Sequence, residues 1–487
     1  MNMKNWKAIW LMKSPANIKY CLKSALSLVA LSVTPWLLQG CKGIATESEN
    51  SIRNEQQFFF AEYRPEGQKP VLPPLTAESS LSNYLSYAVL NHPKVEVAYY
   101  DWAASIERIT QARSLPDPQF TFQLDIQNAI TSVMPGLMAA IPWPGKLRAN
   151  AQIASEESRS KYFALQSAIL ESAYALKRAY FQLYFLTEKI RVNKETLQLL
   201  SGLEELARSQ NQVGKVTLQD VLRAQIEQDR LRTEIANLED SRSSLLAQFK
   251  AALGLTAQEP MPAIPSRFES TLLDLNSESL FATAVSHNNR LKAMESEVRA
   301  AEASISLARR ARFPDFNLGF MADVQMNPTL YRLPGGPGTV SLPIWRDKIA
   351  AQIAEAQANK RSAEARLSAE EIVLAVDFAQ RSYLYREATR NFELLDKQLL
   401  PKARQALEVA RSGYLSGQTD FLNVTDSERT LLGFELDKVE AATQRELVMA
   451  ELSLVIQGMP PSASGMPAGG ERVAPRSSMK KSSAGNM

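Results

Sequence analysis

The 487-residue sequence predicts a mainly α-helical chain that is written twice and lends four β-strands to a membrane barrel closed by several copies. Three observations predict it. The stretch FTFQLDIQN (120–128) alternates apolar and polar side chains, and FNLGFMADVQM (316–326) does so again one repeat later. The segments ARSQNQVG (207–214) and ARSGYLSG (410–417) share A-R-S-x-x-x-x-G at an offset of 203. Between strands and glycines run Ala- and Leu-rich helical stretches of about 65 residues, some 100 Å long at about 1.5 Å per residue, too long for a globular core.

At the N-terminus, residues 1–40 carry Lys4, Lys7, Lys13, Lys19 and Lys23 with no acid, followed by the apolar run ALSLVALSVTPWLL. This is the pattern of an export signal. It ends in LQGC (38–41), which is similar to the lipobox of bacterial lipoproteins and makes Cys41 the expected acylated (palmitate-bearing) first residue of the mature chain. Losing five lysines takes the net charge from +3 to −2, so the basic balance belongs to the signal and does not indicate nucleic acid. Cys21 leaves with it, which excludes an intrachain disulfide. Lys42 stands where inner-membrane lipoproteins usually carry Asp, which favours the outer membrane of a Gram-negative bacterium. No later run reaches the ~18 apolar residues of a membrane helix, so a crossing must be made with strands.

After a polar, lipid-anchored segment (41–78), the first copy (79–255) reads as helix 79–114, strand 118–128, strand 136–143, helix 146–211 and helix 217–253. A Pro-rich linker (256–276) leads to the second copy (277–458), with helix 277–312, strands 316–326 and 338–345, and helices 348–413 and 420–457. LPDPQFTFQLDI (115–126) matches FPDFNLGFMADV (313–324), IPWPGK (141–146) matches LPIWRDK (342–348), and AVLNHPKV (88–95) matches AVSHNNRL (284–291). NPTLYRLPGGPG (327–338) reads as an exposed loop between strands. The tail 459–487, rich in Pro, Ser, Gly and Met, reads as disordered.

In the first long helix Leu165, Ile169, Leu176, Tyr180, Leu183 and Ile190 follow coiled-coil spacings of 4, 7, 4, 3 and 7. Helices alone would equally suit a dimeric coiled coil; the strands give the barrel its preference. Four strands cannot close, since the smallest single-chain barrels have about eight. Three copies bring twelve, with Phe120, Phe122, Leu124 and Ile126 facing lipid and Thr121, Gln123, Asp125 and Gln127 facing water.

The duplicated unit, the LPDPQFTF and FPDFNLGF strand starts, PWPGK, and GQTDFLNVTDSERTLL (417–432) together resemble the TolC family of outer-membrane efflux proteins, in its lipoprotein form, over residues 79–458. The resemblance implies a homotrimer with a 12-stranded outer-membrane barrel and a long α-helical barrel through the periplasm. It also implies docking onto a periplasmic adaptor (membrane fusion) protein and an inner-membrane pump, as the passive exit duct of a tripartite efflux system without a cofactor. Gly214 and Gly417 would then mark tip turns at the inner mouth, with Arg208 and Arg411 beside them for adaptor contact.

Aligning the copies pairs Thr217 with Asp420, Asp220 with Asn423 and Arg223 with Asp426. Thr217 and Asp420 read equally as N-caps, with Asp220 and Asn423 in a capping-box-like arrangement. Asp426 lies a turn deeper, on the face of Asn423, where the alternatives are a solvated helix face and a selectivity position. The resemblance implies an acid ring there that favours cations, and matches Tyr414 to a gate tyrosine. The chain departs from the family archetype at Thr419, where that has a gate arginine, and at Asn423, where it has a second ring acid.

Rival functions leave little trace. There is no phosphate-binding Gly loop, no G-x-S-x-G and no His/Cys cluster; His92 and His287 read as helix-start residues, so the chain is not expected to be an enzyme. A structural coiled-coil lipoprotein without a pore stays as a competitor, as do heavy-metal efflux and type I protein secretion among export roles. Met134, Met138, Met321 and Met326 lack paired metal-ligand spacing and read as packing or lipid contact.

Overall fold

The computed structural model describes residues 45–126, 130–214, 216–264, 277–321, 323–325, 331–332 and 338–456. In chain order these form α1 (Glu47–Tyr63), α2 (Leu81–Asn91), α3 (Pro93–Arg113), β1 (Gln119–Ile126), β2 (Ile130–Ile141), α4 (Pro144–Gln212) and α5 (Leu218–Ala252). Then follow α6 (Ser277–His287), α7 (Asn289–Arg310), β3 (Asp315–Met321), β4 (Asp323–Gln325), β5 (Tyr331–Arg332), β6 (Thr339–Ser341), α8 (Arg346–Leu394), α9 (Leu400–Leu415) and α10 (Phe421–Ile456). The chain divides into two compact units, one from 1–58, 102–160 and 295–365, the other from 59–101, 161–294 and 366–487. Each unit draws on both copies of the repeat.

The first unit holds an antiparallel sheet. β2 lies between β1 and the pair β3/β4; β6 adds to β3 and β5 to β4. β3 and β4 keep one register against β2 (Gly136 opposite Met321, Val133 opposite Val324) and occupy one strand position. The sheet is therefore a meander of four strand positions. Phe120, Phe122, Leu137, Phe316, Leu318, Phe320 and Val340 are all exposed, Phe120 by 71%, so one face of the sheet is apolar and exposed among the described residues. Leu124 and Ile126 lie in β1, and residues 127–129 fall outside the described residues.

Two strand boundaries correct the sequence reading. β2 begins at Ile130 rather than near 136, with Pro135 inside the ladder opposite Phe122 of β1. The fourth strand stops at Ser341, just before Pro343, and Tyr331–Arg332 adds a short strand inside the stretch read as loop.

Helix α1 is the element the sequence reading lacked, in a segment taken as a polar tether. Thr46 Oγ1 accepts from Glu49 N–H at 3.2 Å and starts it. Glu49, 0% exposed, is held by Arg53 Nε at 2.9 Å and by Arg113 Nε of α3 at 2.9 Å, while Arg53 also reaches Glu107 at 3.0 Å and Thr110 at 2.7 Å. On α3, Trp102, Ile106 and Ile109 are all fully buried.

In the second unit α2, α4 and α5 share a core of Leu81, Tyr84, Ala88, Leu176, Tyr180 and Phe249. The second copy builds its counterpart from Ala284, Phe378, Tyr385, Val448 and Leu452. Repeat-equivalent positions such as Ala88 and Ala284 recur in both.

Three stretches read as unbroken helices are interrupted. Pro93, without an N–H, starts α3 after His92 has ended α2. Asn288 Oδ1 accepts from the N–H groups of Arg290 (2.9 Å) and Leu291 (3.1 Å), capping α7 anew after His287. His287 thus ends α6, whereas His92 stands between two helices, its Nδ1 accepting from the Lys94 N–H at 3.2 Å at the start of α3. A π-turn at Leu395–Leu399 precedes Pro401, whose missing donor breaks the α pattern between α8 and α9.

Candidate functional site

The tip turns are built from sequence features that leave few alternatives. Gly214 (φ +73°) and Gly417 (φ +76°) adopt the left-handed conformation that ends a helix and that a side chain would disfavour. Each turn is then locked differently. In the first, Asn211 Nδ2 donates to Val216 C=O at 2.8 Å. In the second, Thr419 Oγ1 donates to Ala410 C=O at 3.2 Å, and the Gln418 and Thr419 N–H groups both reach Gly413 C=O.

Behind the turns the two hairpins share one core: Leu203, Ala207, Val221 and Ala224 from α4 and α5 pack with Leu407, Ala410, Tyr414, Phe421 and Val424 from α9 and α10. Phe421 is 1% exposed and meets the Tyr414 ring edge-on at 5.6 Å. The Tyr414 hydroxyl is buried with no hydrogen-bond partner among the described residues, and burial together with the nearby Asp220 charge raises its pKa.

Thr217 occupies the N-cap position of α5 with extended backbone, but it makes no side-chain cap; its hydroxyl donates to Asp220 Oδ2 at 3.2 Å. The capping-box expectation is corrected there, because the side chain it needed is turned toward the acid. Asp420 and Asn423 are exposed, linked through the Asn423 N–H to Asp420 C=O at 3.1 Å. Asp426 is exposed a turn deeper, with Arg429 at 3.8 Å. Arg429 makes its closer ion pair with Glu227 of α5, so one cation serves two acids. Neither Arg429 nor Glu227 was singled out by the sequence.

Arg208 pairs with Glu204 at 2.6 Å, and Glu204 also accepts from Gln225 (2.8 Å) and Gln228 (2.9 Å), stitching α4 to α5. Arg411 is half-buried and has no hydrogen bond or ion pair among the described residues. Its charge acts on Glu428, the acid that sequence reasoning missed. Glu428 is 4% exposed, its Oε2 has no hydrogen-bond partner among the described residues, and burial outweighs Arg411 to push its pKa up to about 7. It lines a cavity of about 230 Å³ with Thr196, Glu227, Leu231, Arg429 and Leu432. A signal existed: residues 421, 424, 425 and 428 follow a buried helical face, and an acid on that face is out of pattern.

Cys41 lies outside the described residues. Among the described residues no group of three or more His, Cys, Asp or Glu could hold a metal, and no helix is long and apolar enough to cross a membrane.

A sheet whose described residues expose an apolar face, together with helical hairpins tens of residues long, fits the class of proteins that put strands into a membrane and helices into water. The family model of the outer membrane efflux proteins matches residues 84–255 and 280–456. The chain is similar to the cobalt-zinc-cadmium resistance protein CzcC of Cupriavidus metallidurans, 24% identical over 377 residues, spanning 74% of this chain and 86% of that one. Its fold is similar to a membrane protein from Pseudomonas aeruginosa (TM-score 0.68, 18% identity, 79% and 91% of the two chains) and to the outer membrane protein VceC of Vibrio cholerae (0.64, 18%, 78% and 96%). The chain belongs to the outer membrane efflux protein family, with the TolC-like fold, and acts as an outer-membrane efflux channel.

Proposed function

We propose that three copies of this chain close a 12-stranded barrel in the outer membrane and continue as an α-helical barrel in the periplasm, forming the passive exit duct of a tripartite efflux system. The observation that supports this most is the four-position sheet with its exposed apolar face and two outer edges unpaired among the described residues, a surface that water disfavours and lipid accepts. The chain performs no catalysis in this reading. Residues 1–40 act as signal, Cys41 carries the lipid, and the two repeats (79–255 and 277–458) form the duct, with 459–487 as a tail. The turns at Gly214 and Gly417, with Arg208 and Arg411, meet the periplasmic adaptor, behind which stands the inner-membrane pump that chooses the cargo. The similarity to CzcC favours divalent metal cations as that cargo.

At the inner mouth three Asp426 side chains converge, with Asn423, Asp220 and Tyr414 around them, and select cations. Because Arg429 lies 3.8 Å from Asp426, the ring is partly offset and its selectivity moderate. Single-channel recording tests this: Asp426→Ala is expected to lower the cation-to-anion permeability ratio at least twofold, and Arg429→Ala to raise it. An unchanged ratio in Asp426→Ala rules the ring out.

A further inference from the structure

The β2–β3 join is fastened by the two sequence motifs that bracket it. Asp315 accepts from the Trp143 N–H at 2.9 Å and from Lys146 Nζ at 2.8 Å; Lys146 also donates to Phe313 C=O at 2.9 Å, and the Trp143 and Phe313 rings stack at 5.0 Å. The fastening thus links the end of the second strand of copy one to the start of the first strand of copy two. The chain carries a second set of these parts that is not joined: Asp117 and Leu115 precede β1, and Trp345 and Lys348 follow β6. All four are exposed, and among the described residues Asp117 and Lys348 have neither hydrogen bond nor ion pair. They flank the two outer edges of the sheet, since among the described residues β1 pairs only with β2 and β6 only with β3. They cannot meet within one chain, because a four-strand sheet cannot close on itself.

Resting on the several-copy barrel proposed above, we propose that each join between copies repeats the β2–β3 join, with Lys348 on Asp117 of the partner subunit and β6 antiparallel to β1 of the partner subunit. The repeat also sets the register. In the observed join Ile141 lies opposite Phe316 and Ala139 opposite Leu318. Carrying Ile141 to Leu342 and Asp315 to Asp117 puts Val340 opposite Phe120 of the partner subunit, and Thr339 opposite Thr121 of the partner subunit. Side-chain direction supplies an independent check. Val340 and Phe120 are both exposed apolar residues, so this register continues the apolar face from one copy to the next, whereas a shift of one residue would place Val340 against a polar residue.

The test uses the mature acylated protein that begins at Cys41, so that the introduced cysteines supply its free thiols. Directly opposed strand residues lie within disulfide reach, so Phe120→Cys combined with Val340→Cys is expected to give disulfide-linked dimers and trimers on oxidation. The register control, Phe122→Cys with Val340→Cys, is expected to give at least tenfold less. Lys348→Asp is expected to lower the detergent-resistant trimer fraction severalfold, and adding Asp117→Lys to restore most of it. Trimers in native mass spectrometry with equal linkage in both cysteine pairs, or with no rescue by the double charge swap, overturn this join while leaving the barrel standing. A purely monomeric protein overturns both.

Discussion

Phe421→Ala is expected to free the two hairpin tips from one another. The ring is 1% exposed and sits in a core that both hairpins share, meeting Tyr414 at 5.6 Å. Deleting such a ring costs about 3–5 kcal/mol, from lost transfer energy and an unfilled cavity. The loss falls on a small cluster at the end of long helices, where local opening is least resisted. Amide exchange in the first turns of α5 and α10 should then rise by about two to four orders of magnitude, and proteolysis at the Gly214 and Gly417 turns should accelerate with it. Phe421→Leu keeps most of the volume and should show a much smaller change. Unaltered exchange in the alanine variant would mean that the tips are held by something other than this core.

The second large effect concerns pH. Glu428 is pushed up to about 7 by burial, above the ~4.3 of an unfolded glutamate, so the folded state favours the protonated acid. Its contribution to stability is fully present below about pH 4.3, declines from there to about 7, and is absent above it. The difference is on the order of 3 kcal/mol. The charged groups that share its cavity are Glu227, Glu234, Arg230 and Arg429, with Arg411 acting on it from α9. Glu428→Gln removes the titration. The variant should match wild type near pH 4.5 and protect the α4–α10 seam more strongly than wild type at pH 8, read by amide exchange at both values. Parallel pH profiles in the two proteins would contradict the assignment.

The sequence carried the large outline because that outline is periodic. Alternation at 120–126 and 316–321 marked strands, and the positive-φ glycines marked both tips to the residue. What escaped depends on pairings between distant residues. Glu49 looks like a solvated acid until Arg113, 64 positions away, is brought to it, so α1 read as tether. Pro135 and Gly136 look like a turn until Pro135 is paired with Phe122 of β1. Thr217 looks like a cap, yet its hydroxyl turns to Asp220. The tip residues Arg208, Asp220, Tyr414 and Asp426 were named from repeat and resemblance, but their partners Glu204, Phe421 and Arg429, and the buried Glu428, emerge only when hairpins pack.

Conductance of the purified wild-type protein in a planar lipid bilayer tests the central claim most directly, that the strands of several copies put their apolar face to lipid and enclose water. The account predicts discrete, uniform current steps that carry more cation than anion. Protein that inserts in the bilayer, folded and intact, yet passes no current would contradict it.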